Sequence, residues 1–251
     1  YKLVKDHLTL YTGVSQGFRA PNLSDLTRLD IARSGELETP APGLDPEYFT
    51  SYEIGAKAVY DDLSVQLAYY YTQIDDMIVR VPTGRVIGGN LEVTKLNAGD
   101  GYIQGVELGA SWRFHPELTL FGAFTWQDGE IDTFATSDPI KTREPVSRLM
   151  PLTTHVGLRW EPTRRIFVEG VATFANSQDD LSSGDQRDTQ RIPPGGTPSY
   201  EVLTIRAGWQ INKNVQLTGA VENVFDEDYR VHGSGINAPG TNLIVGLSIG
   251  L

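Results

Sequence analysis

Arginine is the residue most able to do chemistry in this chain, and it recurs at the margins of polar segments. Arg19, Arg28, Arg33, Arg80, Arg85, Arg143, Arg148, Arg187, Arg191 and Arg230 all lie there. A guanidinium presents a planar fork of donors, so a set of them suits an anionic ligand such as a metal chelate. One or two are expected to reach a ligand while the others pair with neighbouring acids. Arg19, Arg28, Arg85, Arg143, Arg191 and Arg230 are the candidates, together with His232. Of His7, His115, His155 and His232, only His232 falls in a long polar segment, where Asp226, Asp228 and Tyr229 surround it as a turn would.

Other chemistries find little support. With no cysteine there is no disulfide frame and no thiolate zinc site. The acidic run from Asp179 to Asp188 lacks the alternating acids and terminal glutamate of a calcium loop. Neither a phosphate-cradling loop nor a nucleophile elbow occurs, and Gly101, Gly105 and Gly109 read as strand glycines that permit bending or close approach. No catalytic residue, metal site or cofactor is therefore expected. An excess of 32 acids over 21 bases argues against nucleic acid as a partner.

The elements that must position these arginines are strands. Reading for period two gives about ten ribbons, near 7–18, 48–60, 63–80, 102–114, 117–128, 152–160, 165–176, 200–211, 215–225 and 241–251. Tight turns at Asp61-Asp62, His115-Pro116-Glu117, Glu161-Pro162-Thr163-Arg164 and Asn212-Lys213-Asn214 alternate with long connections at 19–47, 81–101, 127–150, 176–199 and 226–240. Short turns at one end and long loops at the other describe an up-and-down antiparallel sheet, including a transmembrane β-barrel. No run of about 18 apolar residues exists for a membrane helix. The opening "YKLVKDHLTLYTG" lacks signal-peptide features, so either a mature chain begins here or the chain is part of something longer.

Aromatic residues favour the membrane reading over a one-sided soluble sheet. On the apolar parity, Tyr60, Trp112, Trp160 and Trp209 fall near the tight turns. Phe18, Tyr48, Tyr71, Tyr102, Trp126, Phe174 and Phe225 fall at the long-loop ends. Two aromatic girdles around an aliphatic band suit a lipid-facing barrel, because tryptophan and tyrosine prefer the headgroup zone. Most of the net charge of −11 lies in the long connections, where an external medium would solvate it.

At four places, in order, the residues resemble the TonB-dependent outer-membrane receptors. "GVSQGFRAPNLSDL" resembles the family's Phe-Arg-Ala-Pro strand end, and "PGLDPEYFTSYEIGAK" its Pro-Glu box and following strand. "NAGDGYIQGVELGASWRF" resembles the Gly-Val-Glu strand, and "LTGAVENVFDEDYRVHGSGINAPGTNLIVGLSIGL" the C-terminal hairpin. The resemblance implies an all-β, transmembrane, antiparallel up-and-down barrel. About ten strands are present of about 22, with the plug and first strands missing, so that residues 1–251 form the C-terminal portion. Departures are Leu251, where the family usually ends on an aromatic residue, and the partial second box at Pro42–Glu47.

The resemblance further implies active transport across the bacterial outer membrane and no enzymatic step. Its partners would be outer-membrane lipid, the inner-membrane TonB complex through a missing N-terminal segment, and a small-molecule metal chelate. A ferric siderophore ranks first as cargo, with cobalamin or haem as alternatives; haem is disfavoured because residues 22–41 contain no histidine. Two readings from other classes stay open, a small-barrel surface protease and a soluble β ligand-binding protein.

Overall fold

Alternation does govern the backbone. A computed structural model describes residues 2–4, 7–32 and 35–250, so Arg33 and Leu251 lie outside the described residues. The strands are β1 (Lys2–Val4), β2 (Leu8–Arg19), β3 (Asp30–Ile31), β4 (Leu37–Glu38), β5 (Glu47–Val59), β6 (Leu63–Ile87) and β7 (Asn90–His115). They continue with β8 (Leu118–Thr133), β9 (Thr142–Pro145), β10 (Thr153–Thr163), β11 (Ile166–Ala175), β12 (Tyr200–Asn212), β13 (Val215–Glu222) and β14 (Asn242–Ile249). Two single-turn helices, α1 (Leu23–Thr27) and α2 (Ser183–Arg187), sit in the long connections.

One antiparallel meander runs β1-β2-β5-β6-β7-β8-β10-β11-β12-β13-β14, and its two ends do not pair with each other among the described residues. The all-β, antiparallel architecture is thus present as an open sheet of barrel type. Among the described residues the strands number fourteen rather than about ten. Three of the extra strands, β3, β4 and β9, are too short for a period to show in sequence.

The segment 81–101 is also not a loop. Strand β6 continues to Ile87 and β7 starts at Asn90, turning through Gly88 and Gly89 at positive φ of 60° and 89°. Register slips between Ile74 and Met77 and between Pro82 and Val86, with Asp76 at φ 58°, hid this extension. The first slip leaves one extra residue in β6 and so shifts its apolar parity, and the second leaves two and breaks the run without changing parity, although the pairing persists.

Cross-strand partners share a face, and the register joins the apolar parities into one surface. Along it lie Val14↔Tyr52↔Tyr71, then Leu67↔Leu108↔Phe124, and Leu120↔Leu158. It continues through Trp160↔Val168↔Ala207 and Leu217↔Leu247. Residues on this surface stand open: Val14 is 69% exposed, Leu243 71%, Val245 69% and Leu247 61%. Fully burying one such side chain is worth about 1.5–3 kcal/mol, so a sheet that leaves whole columns bare needs an apolar medium against them. Phe18, Tyr48, Tyr60, Trp112, Trp160, Phe174, Trp209 and Phe225 are likewise exposed, while Tyr71, Tyr102 and Trp126 are half-buried.

The opposite face is polar and packed by different means. His155 Nδ1 meets Thr173 Oγ1 at 2.9 Å, and Arg159 Nη1 reaches Glu169 Oε2 at 3.3 Å. Here Phe121 lies over Gly157 of the neighbouring strand, and Tyr70 lies over Gly105, each ring filling the space a Cβ would take.

Candidate ligand-binding mouth

Construction of the long-loop end starts at the Phe-Arg-Ala-Pro box. Arg19 is the last residue of β2, and the register sets it directly opposite Glu47, the first residue of β5. Its guanidinium grips that carboxylate with Nε and Nη2, the second bond 2.7 Å to Oε1. Pro21 then offers no amide hydrogen, and pairing stops. The chain turns instead into α1, where Asn22 Oδ1 accepts from the Asp25 amide and Asp25 Oδ2 accepts from the Asn22 amide, both at 3.0 Å.

That reciprocal cap aims Asp25 into the mouth. Arg19 Nη1 donates to its Oδ2 at 2.9 Å, and Lys95 Nζ of β7 donates to its Oδ1 at 2.9 Å. Burial works against the charge, but Lys95, the Asn22 amide and Arg19 outweigh it and hold the Asp25 pKa at about 2. Glu38, carried on β4 beside β7, faces Lys95 Nζ and Arg80 Nε at 3.4 Å and Arg28 Nε at 3.7 Å. Glu47 Oε1 also accepts from the Ile78 amide at 2.8 Å. Four basic residues and their carboxylates therefore tie β2, α1, β4, β5, β6 and β7 together, with Glu38 and Glu47 each only 2% exposed.

A second cluster binds the later loops. Ser182 caps α2 through the Asp185 amide, and Asp185 in turn accepts from Ser147 Oγ at 2.6 Å and the Arg148 amide at 3.0 Å. Asp188 receives Arg148 at 3.1 Å and Arg191 at 3.0 Å. His232 is buried, with Nδ1 2.9 Å from Thr197 Oγ1. Burial lowers its pKa, the Arg148 charge adds to this, and Asp185 opposes it. Asn223 and Asp226 knot the final loop, through Asn223 Nδ2 to the Glu227 and Pro239 carbonyls and Asp226 Oδ1 to the Thr241 amide.

Between the two clusters opens a cavity of about 550 Å³, lined by Ala32, Arg80, Gly184 and the segment from Arg187 to Arg191. Arg80, Arg187 and Arg191 outnumber Asp188 in its lining and make it cationic. Of the arginines singled out from sequence, Arg191 lines this cavity. Arg19 and Arg28 belong to the network below it, Arg85 forks onto Glu92 at 2.6 and 2.9 Å, and Arg143 pairs with Glu130 and Asp132 over the Tyr102 ring. Arg230 Nε donates to Asn237 Oδ1 at 2.8 Å. Sequence reasoning passed over Lys95 and Glu38, which sit in no motif and are brought in by the long β6–β7 hairpin and the two-residue strand β4.

Among the described residues no group of three or more histidines and carboxylates is placed to hold a metal ion. The arrangement offers charge-assisted hydrogen bonds to a ligand.

The fold agrees with what comparison with known proteins finds. Residues 1–224 match the family described as TonB dependent receptor-like, beta-barrel, and the chain belongs to that family of bacterial outer-membrane type barrels. Among curated proteins it is similar to the ferric enterobactin receptor PirA of Pseudomonas aeruginosa, 23% identical over 247 residues, covering 93% of this chain and 32% of that protein. It is also similar to the pesticin receptor of Yersinia pestis, 25% identical over 240 residues, covering 92% of this chain and 31% of the receptor. The vitamin B12 transporter BtuB of Vibrio vulnificus is 26% identical over 232 residues, covering 92% of this chain and 32% of the transporter. The chain thus spans about a third of the length of these relatives. Among solved structures, the copper transporter OprC superposes with a TM-score of 0.76 at 18% identity, covering 99% of this chain and 38% of that one.

Proposed function

We propose that the full-length protein is a TonB-dependent transporter of the bacterial outer membrane that takes up a small anionic metal chelate, a ferric siderophore first. The observation that carries this is the cationic cavity at the long-loop end, lined by Arg80, Arg187 and Arg191, on a sheet whose other face is bare and apolar. On this reading residues 1–251 are the C-terminal portion of the barrel. The missing N-terminal part supplies the first strands, the plug and the segment that meets the TonB complex. Loops capture the chelate, and the plug moves when the energised inner-membrane partner pulls on it, so binding energy and a gate drive uptake without covalent chemistry.

Of the candidate residues, Arg191 contacts ligand together with Arg80 and Arg187. Arg19, Arg28, Arg85 and Arg143 are held by acids and shape the mouth, as Asn237 holds Arg230 and Thr197 holds His232. The named ligand of PirA, ferric enterobactin, supports an anionic iron chelate. Cobalamin is the second reading, supported by the similarity to BtuB.

A strain deleted for the gene, supplied in turn with ferric tris-catecholate, ferric citrate, a neutral ferric hydroxamate and cobalamin as limiting nutrient, separates these readings. Loss of growth on an anionic ferric chelate, restored by the full-length gene only when TonB is present, is the expected result. Loss confined to cobalamin would move the assignment to the second reading, and growth unchanged on every source would overturn transport.

A further inference from the structure

Besides lining the cavity, two of its arginines, Arg80 and Arg187, hold the loop between β8 and β9. Arg187 Nη1 donates to the Ala135 carbonyl at 2.7 Å. Arg80 Nη2 donates to Glu36 Oε2 at 2.9 Å, and the other oxygen of the same carboxylate accepts from Ser137 Oγ. Arg80 therefore reaches the loop through Glu36. Its Nε is buried with no hydrogen-bond partner and lies 3.4 Å from Glu38 Oε2, so this guanidinium is not saturated by the acids around it. A guanidinium has five donors in a fixed fork and turns most readily to an acceptor that can take two at once.

We propose that an anion entering this cavity competes with Glu36 for Arg80 and with the Ala135 carbonyl for Arg187, and that its binding unties the 134–141 loop. Glu36 acts as a resident counter-ion, a carboxylate of this chain occupying the donor that a ligand oxygen would take. The loop is then bound to the mouth when the cavity is empty of anion and released when it is filled, so occupancy is converted into a change at the surface. The competition costs the ligand affinity, because the pair it breaks must be replaced before any gain appears. The inference rests on the proposed uptake of an anionic chelate and adds to it a named competitor and a named responding loop.

Two substitutions of opposite expected sign test it. Full-length receptor in detergent is titrated with ferric tris-catecholate as the probe, and with a neutral ferric hydroxamate as control. Glu36→Gln removes the competing charge and is expected to tighten the anionic probe about threefold to tenfold. Arg80→Gln removes the contested donor and is expected to weaken it at least tenfold. Backbone amides of 134–141 should exchange faster on adding the probe to wild type, and should already exchange fast without it in the Glu36→Gln variant.

Equal weakening by both variants would mean that Glu36 only supports the mouth, and would overturn the competition. Exchange at 134–141 that ignores the probe while wild type binds would overturn the release. Growth on the same chelate is read separately in cells. Growth that persists while the affinity split is absent removes this inference and leaves the transport reading. Growth on none of the chelates, with the split still present for the anionic probe, removes transport and leaves the switch.

Discussion

Replacing Glu47 by glutamine should loosen the mouth out of proportion to the size of the change. The carboxylate is 2% exposed, takes two bonds from Arg19 and accepts from the Ile78 amide at 2.8 Å. Losing one partner of a buried, hydrogen-bonded ion pair costs about 3–5 kcal/mol when both groups are enclosed. Arg19 is 42% exposed and keeps Asp25 at 2.9 Å, so solvent and the second acid absorb part of the loss. The expected cost is about 1–3 kcal/mol.

Urea unfolding of the full-length receptor in detergent micelles measures this, with Arg19→Met, Glu47→Gln and the double variant completing a cycle. The coupling between the two positions should be at least about 1 kcal/mol. The double variant should be less damaging than the two single changes added together. A coupling near zero would refute the pairing of the Phe-Arg-Ala-Pro and Pro-Glu boxes as two halves of one ion pair.

Leu158→Arg places a charge on the bare face opposite Leu120 and should cost about 2–4 kcal/mol in a bilayer, whereas Gln66→Arg on the polar face should stay within about 1 kcal/mol; refolding into lipid vesicles compares them. Gly157→Val would push its side chain into the Phe121 ring, costing about 1–3 kcal/mol by the same unfolding assay, and Phe121→Ala in that background should recover part of it. His232 has a folded-state pKa below its ordinary 6.5, so the stability it contributes is complete above pH 6.5 and is lost as pH falls through the folded value. Amides of the 176–199 and 226–240 loops should therefore be less protected, relative to the intrinsic exchange rate at each pH, at about pH 5.5 than at about 7.5, and His232→Gln should flatten that dependence.

The strands were readable because period two is a local signal, and alternation from Leu63 to Tyr71 or Leu243 to Ile249 needs no knowledge of partners. The extension of β6 and β7 past Arg80 was not, since the one-residue slip at the left-handed Asp76 shifts the parity and the two-residue slip after Pro82 interrupts the run, neither ending the pairing. Helices α1 and α2, five residues each, carry no apolar stripe, although the Asn22–Asp25 capping pair stood in the Phe-Arg-Ala-Pro motif. For the mouth, sequence named the arginines but not their partners. Arg19 reads as a charge just beyond the apolar band, and only the register reveals Glu47 across from it. Lys95 and Glu38 meet Asp25 and Arg80 from far along the chain, and no spacing announces such a meeting.

Strand β10 reports directly which face of the sheet meets lipid, on which everything said of the mouth depends. In the full-length receptor in bilayers, single cysteines at 154, 156 and 158, then at 155, 157 and 159, would carry nitroxide labels. Accessibility to oxygen, which partitions into hydrocarbon, is compared with accessibility to a water-soluble nickel chelate. Positions 154, 156 and 158 should favour oxygen and their neighbours the nickel chelate, in strict alternation with the apolar parity. Equal access of the nickel chelate to both sets would contradict the lipid-facing assignment, and with it the placing of the arginine-lined cavity at the outer mouth of a membrane barrel.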